Sequence, residues 1–109
     1  MKRHANELQH VGELQTFTAT DTDSRGQPVG DWDTTATVRL KIEPLTSRTA
    51  EYAHQLYELA THVLWLRYRS GVTSSQRLVV GSRVFNFGYV ENVEESGRWL
   101  RILASEAVA

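Results

Sequence analysis

The sequence predicts a mainly β chain: a small antiparallel β-barrel or sandwich of about six strands with one α-helix inserted near residues 46–60. Three observations carry that expectation. Residues 37–43 alternate strictly, Val38, Leu40 and Ile42 to one side and Thr37, Arg39, Lys41 and Glu43 to the other, which is the period of a half-buried strand. Two short apolar runs, Leu78 to Val80 and Val84 to Phe87, flank Gly81-Ser82, a pair that supports the positive φ of a two-residue hairpin turn. The other strand-like stretches are joined mostly by hairpin-like turns, and a single helical period interrupts them.

Taken in order, residues 8–18 carry Leu8, Val11, Leu14 and Phe17 among Thr and Gln. Their spacing of three would suit a helix, but Gly12 and the Thr-rich end favour an extended strand bent at Gly12. Residues 20–33 form a long polar loop, with Gly26, Pro28 and Gly30 as breakers and four aspartates against one arginine. After the alternating strand Pro44 stops the ladder, and Thr46 or Ser47 can cap a helix that runs to Ala60 within a helix-bearing insertion, 44–60. On its wheel Ala50, Tyr52, Ala53, Leu56, Tyr57 and Leu59 fill one half, opposite Glu51, His54, Gln55 and Glu58. Residues 61–68 are apolar on both sides, Val63 and Trp65 against Leu64, Leu66 and Tyr68, so either both faces are covered or one is an interface between subunits. A small polar loop, 70–75, leads into the Gly81-Ser82 hairpin. Its second strand continues to Val93, Glu94-Glu95-Ser96-Gly97 turns, and a last strand spans 99–105. The expected core is Trp32, Val38, Leu40, Ile42, Leu78, Val80, Phe85, Phe87, Leu100 and Ile102.

Length and composition set the bounds. A chain of 109 residues makes one domain, 1–109, and buries roughly two-thirds of its unfolded surface. Zero cysteines exclude a disulfide scaffold or a thiolate metal site. A formal net charge of −1 lacks the basic footprint of a free-standing DNA binder. The charged start, residues 1–7, has no apolar run behind it, and no stretch nears the ~20 apolar residues of a membrane span, so neither a signal peptide nor a membrane partner is expected.

No motif supports catalytic chemistry, so the chain is not expected to be an enzyme or to hold a cofactor. There is no G-x-S-x-G elbow, and His4, His10, His54 and His62 form no H-E-x-x-H. Asp21-Thr22-Asp23-Ser24-Arg25-Gly26 imitates a calcium loop but places Arg25 at its fifth position and Trp32 at its twelfth. Phe85, Phe87 and Tyr89 alternate behind Arg83, a stripe that could stack bases on an oligonucleotide-binding barrel, although a buried or inter-subunit face is the simpler reading. Arg67, Arg69, Arg77, Arg83, Arg98 and Arg101 could form a basic edge, or sit on solvated strand faces opposite carboxylates.

The series R-Y-R-x-G-V-T at 67–73 and R-L-V-V-G-x-R-V-F-N at 77–86 resembles the phage head-to-tail joining proteins, also called head-closure, stopper or head-tail adaptor proteins. The resemblance extends to Trp32, to Ala36-Thr37-Val38, to Ile42-Glu43-Pro44-Leu45-Thr46, and to Tyr52 and Gln55, and more faintly to Leu8-Gln9-His10 and Leu14-Gln15. It departs at Thr49, where the family often has a glutamate completing the capping box, and at Gly12-Glu13, where the family tends to be apolar. What it implies is a virion protein, made in the host cytoplasm, that joins itself as a ring of about twelve copies between a portal or adaptor protein above and a tail-completion or tail-tube protein below. Such a ring closes the head, retains DNA that passes without sequence-specific recognition, and offers the tail its attachment surface; a tail-completion ring of similar fold is the neighbouring reading. Loops projecting from a rigid barrel would make those contacts. The candidates are Asp21, Asp23, Arg25, Asp31 and Asp33 in the acidic loop, for subunit, tail or DNA contact, and Thr46, Arg48, Ala50, Glu51, Ala53 and His54 in the helical segment, for the channel or a neighbour.

Overall fold

In the computed structural model, which describes residues 8–95 and 97–107, six antiparallel strands close into a barrel. They are β1 (His10–Thr22), β2 (Pro28–Pro44), β3 (His62–Arg67), β4 (Arg77–Val80), β5 (Arg83–Asn92) and β6 (Trp99–Ala107), with α1 (Ser47–Leu56) between β2 and β3. The order around the barrel is β1-β2-β3-β6-β5-β4, and β4 pairs back onto β1 at Glu13↔Val79. Residues 1–7 and Ser96 of the Glu94–Gly97 turn lie outside the described residues.

Register explains the core. Leu40 faces Leu66, Leu64 faces Ile102, Leu66 faces Leu100, and Leu78 faces Phe85. Directly opposed residues share a face, so these pairs stack inward together, and a slip of one residue on any strand would turn its whole apolar set to solvent. Phe85, Leu40, Leu64, Leu66, Leu78 and Ile102 are fully buried, with Leu14, Val38, Phe87, Leu100 and Ala104 completing the cluster. Ile42 and Val80 are half-buried and pack against it. The Gly81-Ser82 turn is made with two residues, Val80 opposite Arg83, and Gly81 takes a φ of +60°.

Trp32 is a correction: it is half-buried and lies outside the barrel core. The ladder shifts register between Leu14↔Ala36 and Gln15↔Thr34, which leaves Thr35 as an extra residue, and its hydroxyl donates to the Leu14 carbonyl at 3.2 Å. One inserted residue inverts the alternation. Trp32 therefore turns to the outer face, where it meets Phe17 edge-on at 5.5 Å.

The expected polar loop 20–33 is a second correction. β1 runs to Thr22 and β2 starts at Pro28, so only the tip, residues 23–27, lies between strands. Breaker residues misled the reading because this ribbon stands in solvent, where polar side chains are no penalty and a proline can open a strand. Gly30 has its own reason: a Cβ there would collide with the Thr18 carbonyl beside the second register shift, between Ala19 and Asp21.

α1 covers the outside of the barrel. Ala53, Ala60 and Leu103 are buried together, with Leu45, Tyr57, Val63 and Tyr89 against them. Both faces of β3 are thus covered within the subunit, Leu64 and Leu66 inside and Val63 beneath the helix. At the helix start the Thr46 amide donates to Thr49 Oγ1 at 3.1 Å, so a hydroxyl fills the reciprocal half of the capping box where a glutamate is usual. The helix ends at Leu56, four residues short of the expected Ala60, because Tyr57 goes extended (φ −155°) and lies over Gly88, its hydroxyl 3.1 Å from Ser105 Oγ.

Gly88 is the bulge residue of β5, between Phe87↔Ala104 and Tyr89↔Leu103. The bulge breaks the expected aromatic stripe: Phe85 and Phe87 point inward, Tyr89 points outward under the helix, and no base-stacking row exists. A Cβ on Gly88 would overlap the Tyr57 ring. Gly88→Ala is expected to cost about 1–3 kcal/mol by overpacking, seen as a lower melting temperature together with faster proteolysis between residues 45 and 60.

Candidate assembly surfaces

β1 and β2 outrun the barrel. Among the described residues β1 has β4 as a neighbour only over Glu13–Gln15, and β2 meets β3 only from Leu40 onward, so residues 16–22 and 28–33 pair solely with each other. They form a two-stranded arm of about 20 Å at ~3.3 Å per residue, which matches the long axis of the molecule, 49 Å against 29 and 28 Å.

The arm is anchored at its root and locked at its tip. Arg77 lies 4.3 Å from the centroid of the Trp32 ring and donates from Nε to Gln15 Oε1 at 2.8 Å. Buried Gln76 donates from Nε2 to Thr16 Oγ1 at 2.9 Å and accepts the Thr73 amide at 2.9 Å, tying the 70–75 loop to the arm. At the tip Asp23 accepts the amides of Arg25 and Gln27, both at 2.9 Å, and Gly26 takes a φ of +79°. Asp23 is therefore a turn-former rather than a free contact carboxylate, which corrects its expected role; Arg25 stands exposed beside it.

Asp21, Asp31 and Asp33 share the other face. Thr16↔Asp33, Thr18↔Asp31 and, past the register shift, Asp21↔Val29 place them with Val29 on the side continuous with the barrel interior, all exposed. Strand directions put the arm at the same barrel end as Arg67, the 68–75 loop and Arg98, whose carbonyl accepts the Tyr68 amide at 2.9 Å. A cavity of about 540 Å³ opens there between Tyr68–Ser74 and Gly88–Asn92.

In the helical segment the expected contact residues separate. Ala53 is 2 % exposed and packed on its own barrel, so it faces neither a channel nor a neighbour, and His54 is held by Nε2 to the Ala60 carbonyl at 3.0 Å. Thr46 caps the helix, Ala50 is half-buried, and Arg48 and Glu51 are exposed. Tyr52, Leu56 and Leu59, assigned by the wheel to the buried half, are 57 %, 38 % and 64 % exposed. Nothing in the periodicity separates them from Ala53, seated with Ala60 and Leu103, or from Tyr57, seated over Gly88.

The arginines do not form one basic edge. Arg83 makes a bidentate pair with Glu106 (2.7 and 3.1 Å), Arg101 pairs with Glu91 at 2.6 Å directly across β5 and β6, and Arg77 stacks on Trp32. At the end opposite the arm His62 joins the first pair, Nε2 lying 3.8 Å from Glu106 Oε1, with Nδ1 2.8 Å from Thr61 Oγ1. Burial lowers the His62 pKa below its ordinary 6.5, Glu106 opposes that shift, and Arg83 adds to it. The hydrogen bond from Arg83 holds the Glu106 carboxyl below its ordinary 4.5. Both groups release protons more readily folded than unfolded, so their stabilisation is complete above about pH 6.5 and is lost as pH falls, first through His62 and then, below about 4.5, through Glu106. Melting temperatures should decline from pH 7.5 to 5.5 and decline again to pH 4, and His62→Asn should flatten the upper step.

Among the described residues no group of three or more His, Cys, Asp or Glu side chains could hold a metal, and no helix is long and apolar enough to cross a membrane. A closed barrel that carries a docked helix on its flank and an acidic ribbon at one end defines a structural scaffold that presents surfaces to partners. The chain belongs to the phage head completion protein family, which it matches over residues 3–107. It is accordingly a structural protein of a phage-type virion. Its fold is similar to protein SF1141 from Shigella flexneri 2a (TM-score 0.71, 20% identity, covering 97% of this chain and 98% of that one). It is similar as well to a chain in the virion of a native gene transfer agent particle (TM-score 0.66, 18% identity, all of both chains). No curated protein matches its sequence.

Proposed function

We propose that the protein assembles as a ring of about twelve copies beneath the portal or adaptor, closes the filled head, retains DNA in the channel without sequence-specific recognition, and presents the surface on which the tail docks. The observation that supports this reading is the arm: residues 16–34 contribute nothing to the interior cluster of their own barrel, yet they are anchored and turn-locked. An ordered ribbon whose outer edges have no ladder partner among the described residues is suited to contacts beyond its own subunit. The exposed strip Tyr52, Leu56 and Leu59, beside Arg48 and Glu51, supplies a second surface, for the tail-side or portal-side protein.

Particles assembled without this protein test the proposal. They are expected to package DNA and then lose it, and to accumulate as tailless heads. Tailed particles that retain their DNA would overturn it.

A further inference from the structure

The charges of this chain are segregated. Residues 16–34 hold four aspartates and one arginine, whereas between Glu58 and Glu91 there are four arginines and no carboxylate. Of those four, Arg83 is paired with Glu106 and Arg77 is stacked on Trp32. Arg67 and Arg69 remain exposed at the arm end of the barrel, next to Arg98, and none of the three takes part in an ion pair among the described residues. Neither do Asp21, Asp31 and Asp33. Each subunit thus carries at one end an acidic arm face and a rim of Arg67, Arg69 and Arg98. Arg67 lies 5.7 Å from the Trp99 ring centroid, Glu94 and Glu95 stand on the turn before Arg98, and no ion pair joins arm to rim among the described residues.

We infer that the acidic arm face, Asp21, Asp31 and Asp33, docks on the Arg67–Arg69–Arg98 rim of a second copy of this chain. The inference deepens the ring reading and rests on it. Barrel strands tilt about 35–45° to the barrel axis, so a ribbon continuing two of them leaves at a slant and reaches sideways. Its length of about 20 Å compares with a body 28–29 Å wide, enough to lie across a neighbour's rim. Donor and acceptor are different surfaces of one chain, so the contact is head-to-tail and propagates around a ring. Opposite charges also fix direction, because arm against arm and rim against rim both repel.

Because the chain has no cysteine, engineered pairs report cleanly. In purified particles the number of copies per particle, read by quantitative mass spectrometry, first shows whether the chain is present as a multimer. Particles carrying the full chain with Asp33→Cys and Arg69→Cys are then oxidised. A ladder of disulfide-linked multimers is expected, with neither single variant going beyond a monomer. Asp31→Arg with Asp33→Arg should reduce incorporation by about tenfold or more, as should Arg67→Asp with Arg69→Asp, and all four changes in one chain should restore it. Unchanged melting of each variant excludes misfolding. Many copies per particle without a disulfide ladder, and no rescue by the fourfold exchange, would overturn this contact and leave the ring standing, with the acidic face turned to DNA or the tail. Disulfide dimers from Asp33→Cys alone would overturn it too, as arm-to-arm contact. A single copy per particle would remove the ring and this contact with it.

Discussion

Phe85→Ala is expected to cost about 3–5 kcal/mol, against a total stability of about 5–15 kcal/mol for a domain of this kind. Phe85 is fully buried, sits opposite Leu78 on the β4–β5 hairpin, and underlies both His62, edge-on at 5.3 Å, and Arg83, 4.9 Å from its ring centroid. Truncation would open a cavity where the barrel closes and loosen the polar network above it. The melting temperature should drop on the order of 15–30 °C. A variant that melts within a few degrees of the parent would show that β4 and β5 do not carry the core.

Excising the arm should have the opposite signature. Joining β1 to β2 through a two-residue turn in place of residues 18–31 removes no member of the interior cluster. Phe17, Trp32 and the Arg77 stack on Trp32 lie on the barrel side of the cut and stay in place, so only the solvent-exposed ribbon is taken from the fold. The barrel should keep its near-native melting curve while incorporation into particles is lost. Thermal unfolding and particle composition measured on the same preparation separate the two effects.

The sequence carried the barrel where one face is buried and the ladder is regular. Val38, Leu40 and Ile42 alternate because they line an interior, and Gly81 marks a two-residue turn because that turn needs a positive φ there. It misled wherever one inserted residue re-aimed a side chain. Thr35 turned Trp32 outward and Gly88 turned Tyr89 onto the helix, and a bulge has no periodic signature. Aspartates and glycines in 20–33 resembled a loop because an isolated ribbon needs no apolar face. The ion pairs could not be read at all, since Arg101 meets Glu91 and Arg83 meets Glu106 only through the β5–β6 register. The exposure of Tyr52, Leu56 and Leu59 has no periodic signature either, since they share a wheel half with Ala53 and Tyr57, which the barrel wall seats.

Hydrogen exchange on the free protein and on assembled particles tests the division between scaffold and arm most directly. Amides of residues 16–22 and 28–39, whose outer edges have no ladder partner among the described residues, are expected to exchange quickly in the free protein and become protected on assembly, while β3, β5 and β6 change little. Equal exchange of the arm in both states, with new protection confined to the barrel wall, would contradict it.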